Sequence, residues 1–413
     1  MRYTFGAFQR FVLAFAVIGL LFLLPVVGSL RQSEKKPKRE DFGSSLEQPN
    51  QNQRKKSGPE KPAPKAPSSD EEIRLASSLA VFDALVLNKE GRSLTGFKKE
   101  DFVVTEDGIK QDIATVTLGD GTAVARSIVL ILDYSGSQFP YIKTSTDAAS
   151  VLIDNLGPKD KMALVTDDVA LLVDFTNDKV ELKNALESLK VRSSSGKEFG
   201  KSLQFSALMA TLKELLSQDE QSVIIFQTDG DQLTALKSGP NSGLGFSFQA
   251  SFSIEDLYAT VEKSHATVYS VIPGPELIGL PENRLATQFR LIREQEVEAL
   301  REIDPAEYDR WKIVLDKSND KLLRIQAKDR LNQHMALFQI AKLSGGWTEY
   351  LQTPDKANEI YSRIFQDMNQ RYIVTYYPTN TRRDGKMRKV KIEVRDHPEY
   401  VTWGRKSYYA PEN

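Results

Sequence analysis

Residues 11–30, FVLAFAVIGLLFLLPVVGSL, contain no charged residue, and their length matches the ~20 apolar residues a helix needs to cross a bilayer. Residues 31–72 are rich in Lys, Pro, Ser, Gln and Glu and nearly empty of large apolar side chains. Such a stretch cannot bury enough surface to offset its ordering entropy, which predicts a disordered tether. From residue 79 the pattern tightens into short β-rich runs at 81–87, 102–105 and 113–118, separated by the turn signals Asn88-Lys-Glu-Gly91 and Glu106-Asp-Gly108. These runs predict a small β module over 73–122.

Beyond residue 126, apolar runs alternate with helical spacing. Residues 127–132, 161–166, 170–175, 222–228 and 266–272 read as strands, and 143–155, 178–189, 202–217, 254–264 and 333–343 as helices. The strands 161–166 and 170–175 are close enough in sequence to pair antiparallel. The alternation predicts an α/β fold with a doubly wound, mainly parallel sheet over 123–370. Residues 273–330 break the rhythm with charged stretches at 284–301 and 306–330 whose apolar residues keep helical spacing, predicting a helical insertion. Residues 371–377 and 387–395 alternate around Arg383-Asp-Gly385 and predict a C-terminal β hairpin within 371–413. That hairpin is expected to pair with the strands of 79–118 into one β-sandwich-like module, so that the N- and C-terminal strands together form a small β module flanking the α/β domain.

Composition narrows the chemistry. The 413 residues include no Cys, which excludes disulfides and thiolate metal sites. The histidines, His265, His334 and His397, lack metal-binding spacing and argue against a structural zinc site or a Ser-His-Asp triad. Residues 1–72 hold 12 Lys/Arg against 8 Asp/Glu, and the remainder 43 against 48. The globular part is therefore mildly acidic, which argues against nucleic acid as a partner. Arg2 and Arg10 precede the apolar span, so residues 1–30 read as a signal peptide or a membrane anchor. The basic residues Arg31, Lys35, Lys36, Lys38 and Arg39 would favour a cytoplasmic body. Export is nevertheless the expectation, because long domains translocate largely regardless of charge.

Two strand ends carry candidate chemistry. DYSGS, residues 133–137, follows the run 127–132, and Asp229 of QTDGD follows 222–228. In a doubly wound sheet both stand at the carboxyl edge, where ligands bind. Asp133, Ser135, Ser137 and Asp229 offer hard oxygen ligands suited to Mg²⁺, Ca²⁺ or Mn²⁺. Two carboxylates balance a divalent charge, and neutral hydroxyls leave the ion able to accept an incoming oxygen. The same residues also suit helix N-caps and a turn, and spacing alone leaves both readings open.

DYSGS matches the D-x-S-x-S signature of von Willebrand factor A domains. Their metal-ion-dependent adhesion site combines that motif with a threonine from a second loop and an aspartate from a third. The resemblance implies that Asp133, Ser135 and Ser137 fill the first loop and Asp229 the third. It implies Ser202 of Gly200-Lys201-Ser202-Leu203 for the second loop, which usually reads G-G-T-x-L; Lys201 stands for a glycine and Ser202 for the threonine. The stretches GRSLTGFKKEDFVVTEDGIKQDIATV, DKMALVTDDVALLVDFTND, AKLSGGWTEY, YIVTYYPTNTRRDGKMRKVKIEV and RKSYYAP extend the likeness to bacterial von Willebrand factor A-related exported proteins, over 73–275 and 331–413.

The resemblance implies a cell-envelope binding module, on the extracytoplasmic side, that captures a partner's Asp or Glu carboxylate through a divalent cation, Mg²⁺ first and Mn²⁺ or Ca²⁺ as alternatives. No enzyme is expected, because no nucleophile or general base stands out beyond the ligand set. Two alternatives stay open. One is a metal-free scaffold that assembles an envelope complex through its helical insertion, and the other a metal-assisted hydrolase using Asp231 as base.

Overall fold

The computed structural model describes residues 42–46, 79–119, 125–194, 198–216, 221–238, 252–301 and 304–411. The apolar span at 11–30 lies outside them. Among the described residues no helix is long and apolar enough to cross a membrane.

The chain first lays down β1 (Ala80–Leu87), β2 (Phe102–Glu106), β3 (Ile109–Gln111) and β4 (Ile113–Leu118). It then enters the central sheet with β5 (Arg126–Leu132), β6 (Lys161–Thr166), β7 (Ala170–Thr176), β8 (Gln221–Gln227), β9 (Thr267–Pro273) and β10 (Thr348–Leu351). The sheet runs β10-β9-β8-β5-β6-β7, parallel throughout except for the antiparallel edge strand β7. β5 is buried at every position, as the uninterrupted run RSIVLIL requires of a parallel strand covered on both faces.

Helices cover each face. Leu152 of α1 (Ile142–Asp154), Leu182 of α2 (Lys179–Ser194) and Ile364 of α9 (Ala357–Gln370) pack with Ile128 and Leu130. On the other face Phe205 of α3 (Gln204–Ala210) and Leu257 of α5 (Ile254–Lys263) pack with Val129 and Ile131. The short α4 (Leu233–Ser238) follows the β8 edge. This is the doubly wound α/β architecture that the alternation predicts.

The insertion after β9 comprises α6 (Glu282–Glu298), α7 (Pro305–Asp316) and α8 (Asp320–Ser344). It has its own apolar core of Leu285, Phe289, Ile292, Leu315 and Leu323. The stretches 306–330 and 333–343 were expected as separate helices. Instead α8 is one helix of 25 residues that leaves the insertion core and ends on the central sheet, where Leu337 and Ile340 join the α3 face. Asn319 caps its start, accepting from the Leu322 amide at 2.9 Å, and Gly345 ends it at φ 83°.

The terminal strands β11 (Tyr372–Tyr376), β12 (Met387–Val394), β13 (Val401–Trp403) and β14 (Ser407–Tyr409) return to the first four. Two sheets result, ordered β13-β1-β11-β4 and β14-β12-β2-β3. The expected hairpin is therefore corrected, since β11 and β12 belong to opposite sheets. Each buries a single apolar face, Tyr372 and Val374 against Val390, Ile392 and Val394, so stacking the strands face to face covers both faces. Arg371 locks this sandwich to the sheet below. Its guanidinium donates to Asp367 at 2.8 Å, Asp83 at 2.5 Å and the Gly345 carbonyl at 2.7 Å.

The tether reading is corrected at one place: residues 42–46 form an ordered turn, with Phe42 and Leu46 half-buried against the domain.

Candidate functional site

β5 lies between β6, whose connection runs to one side, and β8, reached from the other. That strand reversal opens the crevice in which α/β sheets bind ligands. The ladder is held past the strand ends, with the Asp133 amide donating to Gln227 O at 3.0 Å and the Thr228 amide to Val271 O at 3.1 Å. Asp133 and Asp229 thus leave adjacent parallel strands at the same edge, and both are buried.

In the first loop the Ser135 amide donates to Asp133 Oδ1 at 2.9 Å. The hydroxyls of Ser135 and Ser137 stand 3.2 Å apart, and that of Ser137 donates to Asp231 Oδ2 at 3.4 Å. In the third loop Asp229 Oδ1 accepts from the Asp231 amide at 3.2 Å. Asp133, Ser135, Ser137 and Asp229 therefore meet at one edge, with Asp231 between the loops.

Ser202 is placed differently. Its backbone has φ 53°, a left-handed conformation uncommon outside glycine, and its amide donates to Asp167 Oδ2 at 2.8 Å. Among the described residues its hydroxyl makes no hydrogen bond to Asp133 or Asp229. Two residues on, Gln204 Nε2 reaches the centre, donating to Asp133 Oδ2 at 2.8 Å and to Asp231 Oδ1 at 2.6 Å.

Asp167 fastens the second loop to the first. Besides Ser202 it accepts from the Tyr134 amide at 3.0 Å, and its carbonyl accepts from Leu203 at 3.0 Å. Gly200 must be glycine, since a Cβ there would lie 1.9 Å from Asp167 Oδ1. Thr228, another residue that motif reading missed, donates to Asp133 Oδ2 at 2.7 Å.

Two further side chains come from the insertion. Arg330 of α8 donates to Asp229 Oδ2 at 2.6 Å and to Glu296 of α6 at 3.3 Å. Arg293 also pairs with Glu296. Tyr141, at the end of the first loop, donates to Gln295 of α6 at 2.9 Å, so the insertion is fixed to the rim of the crevice. Nothing in the charged helical pattern distinguishes Arg330 from its exposed neighbours Lys328 and Arg324. By contrast, Asp167 sits in the turn T-D-D-V between paired strands, where an acidic residue could have been flagged.

The electrostatics are those of crowded, desolvated carboxylates. Burial, then repulsion from Asp229, pushes the Asp133 pKa up to about 6. Burial, then the charges of Asp229 and Asp133, raises Asp231 well above the usual carboxylate range. Asp167 is raised likewise, by burial and then by Asp133. Burial works to lower the Arg330 pKa, but the Asp229 and Glu296 carboxylates outweigh it and raise it.

The donor set fits a hard divalent cation in part. Three carboxyls and two hydroxyls converge, and the guanidinium groups of Arg330 and Arg293 are taken by Asp229 and Glu296, leaving Asp133 and Asp231 without a cationic partner in hydrogen-bond contact among the described residues. The Gln204 amide, however, bridges Asp133 and Asp231, and Arg330 holds one oxygen of Asp229. Among the described residues no group of three or more His, Cys, Asp or Glu is arranged to hold a metal, so a cation here would depend on the serine hydroxyls.

Residues 128–232, which carry all three loops, match the family model of the von Willebrand factor type A domain. This segment is a von Willebrand factor type A domain. No curated protein matches the chain. Among solved structures, the chain is similar to an aerotolerance-related membrane protein from Bacteroides fragilis, at 17% identity and TM-score 0.33, over 60% of this chain and 99% of that one. It is similar to a von Willebrand factor type A protein from Catenulispora acidiphila, at 12% identity and TM-score 0.33, over 82% of this chain and 74% of that one. A third is the vWF domain of a type V pili tip protein from Porphyromonas gingivalis, at 12% identity and TM-score 0.32, over 60% and 95% of the two chains. In this A domain the three loops carry Asp133, Ser135 and Ser137, then Ser202 and Gln204, then Asp229 and Asp231.

Proposed function

We propose that the chain is a binding module of the cell envelope whose A domain holds a divalent cation, Mg²⁺ first, and captures a carboxylate of a protein partner. The observation that carries the reading is the convergence of the Asp133, Asp229 and Asp231 carboxyls beside the paired hydroxyls of Ser135 and Ser137. Burying carboxylates together is costly, which is why Asp133 and Asp231 hold their protons more tightly than usual, and a divalent ion would take the place of those protons. When bound, such an ion supplies a coordination position that a partner's Asp or Glu oxygen can take. Asp133, Ser135 and Ser137 would hold it, with Asp229 and Asp231 lending charge; Ser202 would need its hydroxyl turned inward.

The histidines support binding over catalysis. His334 bonds the Tyr350 hydroxyl, His265 faces Arg405, and His397 pairs with Glu399; none of these contacts is a site residue. The span at 11–30 and the resemblance to exported proteins support placement outside the cytoplasm, either membrane-anchored or secreted. The test is thermal unfolding of Asp133→Ala against the native chain. The native protein should gain several degrees in millimolar Mg²⁺ or Mn²⁺ and the variant should not. An equal gain in both would defeat this site, as would partner capture that survives a chelator.

A second reading is favoured by one contact. The Arg330–Asp229 pair at 2.6 Å supplies positive charge from the chain itself, which suits a metal-free scaffold. A native chain with no melting response to any divalent cation would select it.

A further inference from the structure

Residues 42–46, FGSSL, lie in a segment whose composition predicts no folded structure, yet they are seated on the A domain. Phe42 and Leu46 are half-buried with Val169, Phe175, Leu212 and Leu216 against the core beneath α3. Between them Ser44–Leu46 turns tightly, the Leu46 amide donating to Gly43 O at 3.0 Å, and lies against α3. Glu214, in the turn that continues α3, accepts from the Gly43 amide at 2.7 Å and the Ser45 amide at 2.9 Å, and also takes the Ser45 hydroxyl. Charge-assisted hydrogen bonds to backbone amides are among the stronger ones, and they recognise the turn itself rather than its side chains.

Glycine is required at position 43 on two grounds. Its φ is 93°, a conformation that L side chains rarely adopt, and a Cβ there would stand 2.8 Å from Val169 Cγ1. Val169 itself has φ 58°, a rare state for a β-branched residue. Phe42 and Leu46, four positions apart across one tight turn, are the apolar anchors on either side of that contact.

We infer that residues 42–46 are a docking motif that moors the amino-terminal segment, in cis, to a seat formed by Val169, Glu214 and α3. The seat adjoins the second loop of the site. Val169 follows Asp167, which fastens Ser202, and the turn lies against α3, whose Gln204 binds Asp133 and Asp231. Mooring also shortens the leash. From an anchor at 11–30, residues 31–41 reach at most ~40 Å, whereas residues 31–78 would reach ~170 Å at about 3.5 Å per residue. Were residues 11–30 retained as an anchor, mooring would hold the A domain closer to that surface.

Hydrogen exchange on the native full chain tests the seat without touching Gly43. The Gly43 and Ser45 amides should exchange at least about tenfold more slowly than in Glu214→Ala, and equal rates would overturn the inference.

Discussion

Replacing Arg330 with glutamine removes the guanidinium that donates to Asp229, while leaving a side chain able to fill most of the space. Arg330 keeps 13% side-chain exposure, Glu296 4%, and Asp229 none. Breaking a buried pair by removing one partner costs about 3–5 kcal/mol. At about 2–4 °C per kcal/mol for a domain of this class, that corresponds to a melting point roughly 10 °C lower in chelator. The cation response should move the other way. Removing a unit positive charge from beside a bound divalent ion is worth on the order of 4 kcal/mol at an effective dielectric of ~20. Solvent access and side-chain relaxation reduce this to about 1–2 kcal/mol, or roughly tenfold tighter binding. Calorimetric titration with Mg²⁺ or Mn²⁺ gives the affinity, and melting with and without saturating ion gives the coupled stabilisation. Arg330→Gln should melt lower in chelator yet gain more from the ion than the native chain does. A variant whose cation-induced gain is equal or smaller refutes the picture of Arg330 and the cation competing for the same negative charge.

Arg371→Met should destabilise the chain by about 3–5 kcal/mol, because Asp367 and Asp83 lose their shared cation where the β-sandwich meets the central sheet. Urea unfolding followed by far-UV and aromatic signals should show the sandwich and the A domain separating into two transitions, and an unchanged midpoint would rule out the lock. His334, buried beside Tyr350, has its pKa held well below the ordinary histidine value by burial and then by Arg330. The unfolded chain therefore binds a proton that the native one refuses, so stability is complete above about pH 6.5 and falls as pH drops below it. The slope is at most ~1.4 kcal/mol per pH unit. His334→Gln should flatten the difference between denaturant midpoints at pH 7.5 and 5.5, and an identical pH dependence in both proteins would exclude the effect.

Much of the fold was legible because parallel strands buried on both faces leave long apolar runs, and 127–132 and 222–228 are such runs. Their ends put Asp133, Ser135, Ser137 and Asp229 at one edge of the sheet. Local pattern could not tell which strands share a sheet. The stretches 371–377 and 387–395 alternate as hairpin arms do, yet they stack across a sandwich, because each has one apolar face and the partner able to cover it lies far along the chain. The break placed near residue 330 failed for a related reason: charged helical spacing continues through it, and α8 serves both the insertion core and the sheet.

What the sequence alone determined is the strand edge at which Asp133, Ser135, Ser137 and Asp229 stand, since strand periodicity and a five-residue motif are local properties. Only the tertiary structure decided what surrounds those side chains. Arg330 reaches Asp229 across 101 positions, Gln204 reaches Asp133 across 71, and Glu214 takes residues 43 and 45 from a segment some 170 positions earlier. Electrostatic pairing in a buried crevice depends on distance in space, and side chains brought together by packing leave no spacing signature in the chain.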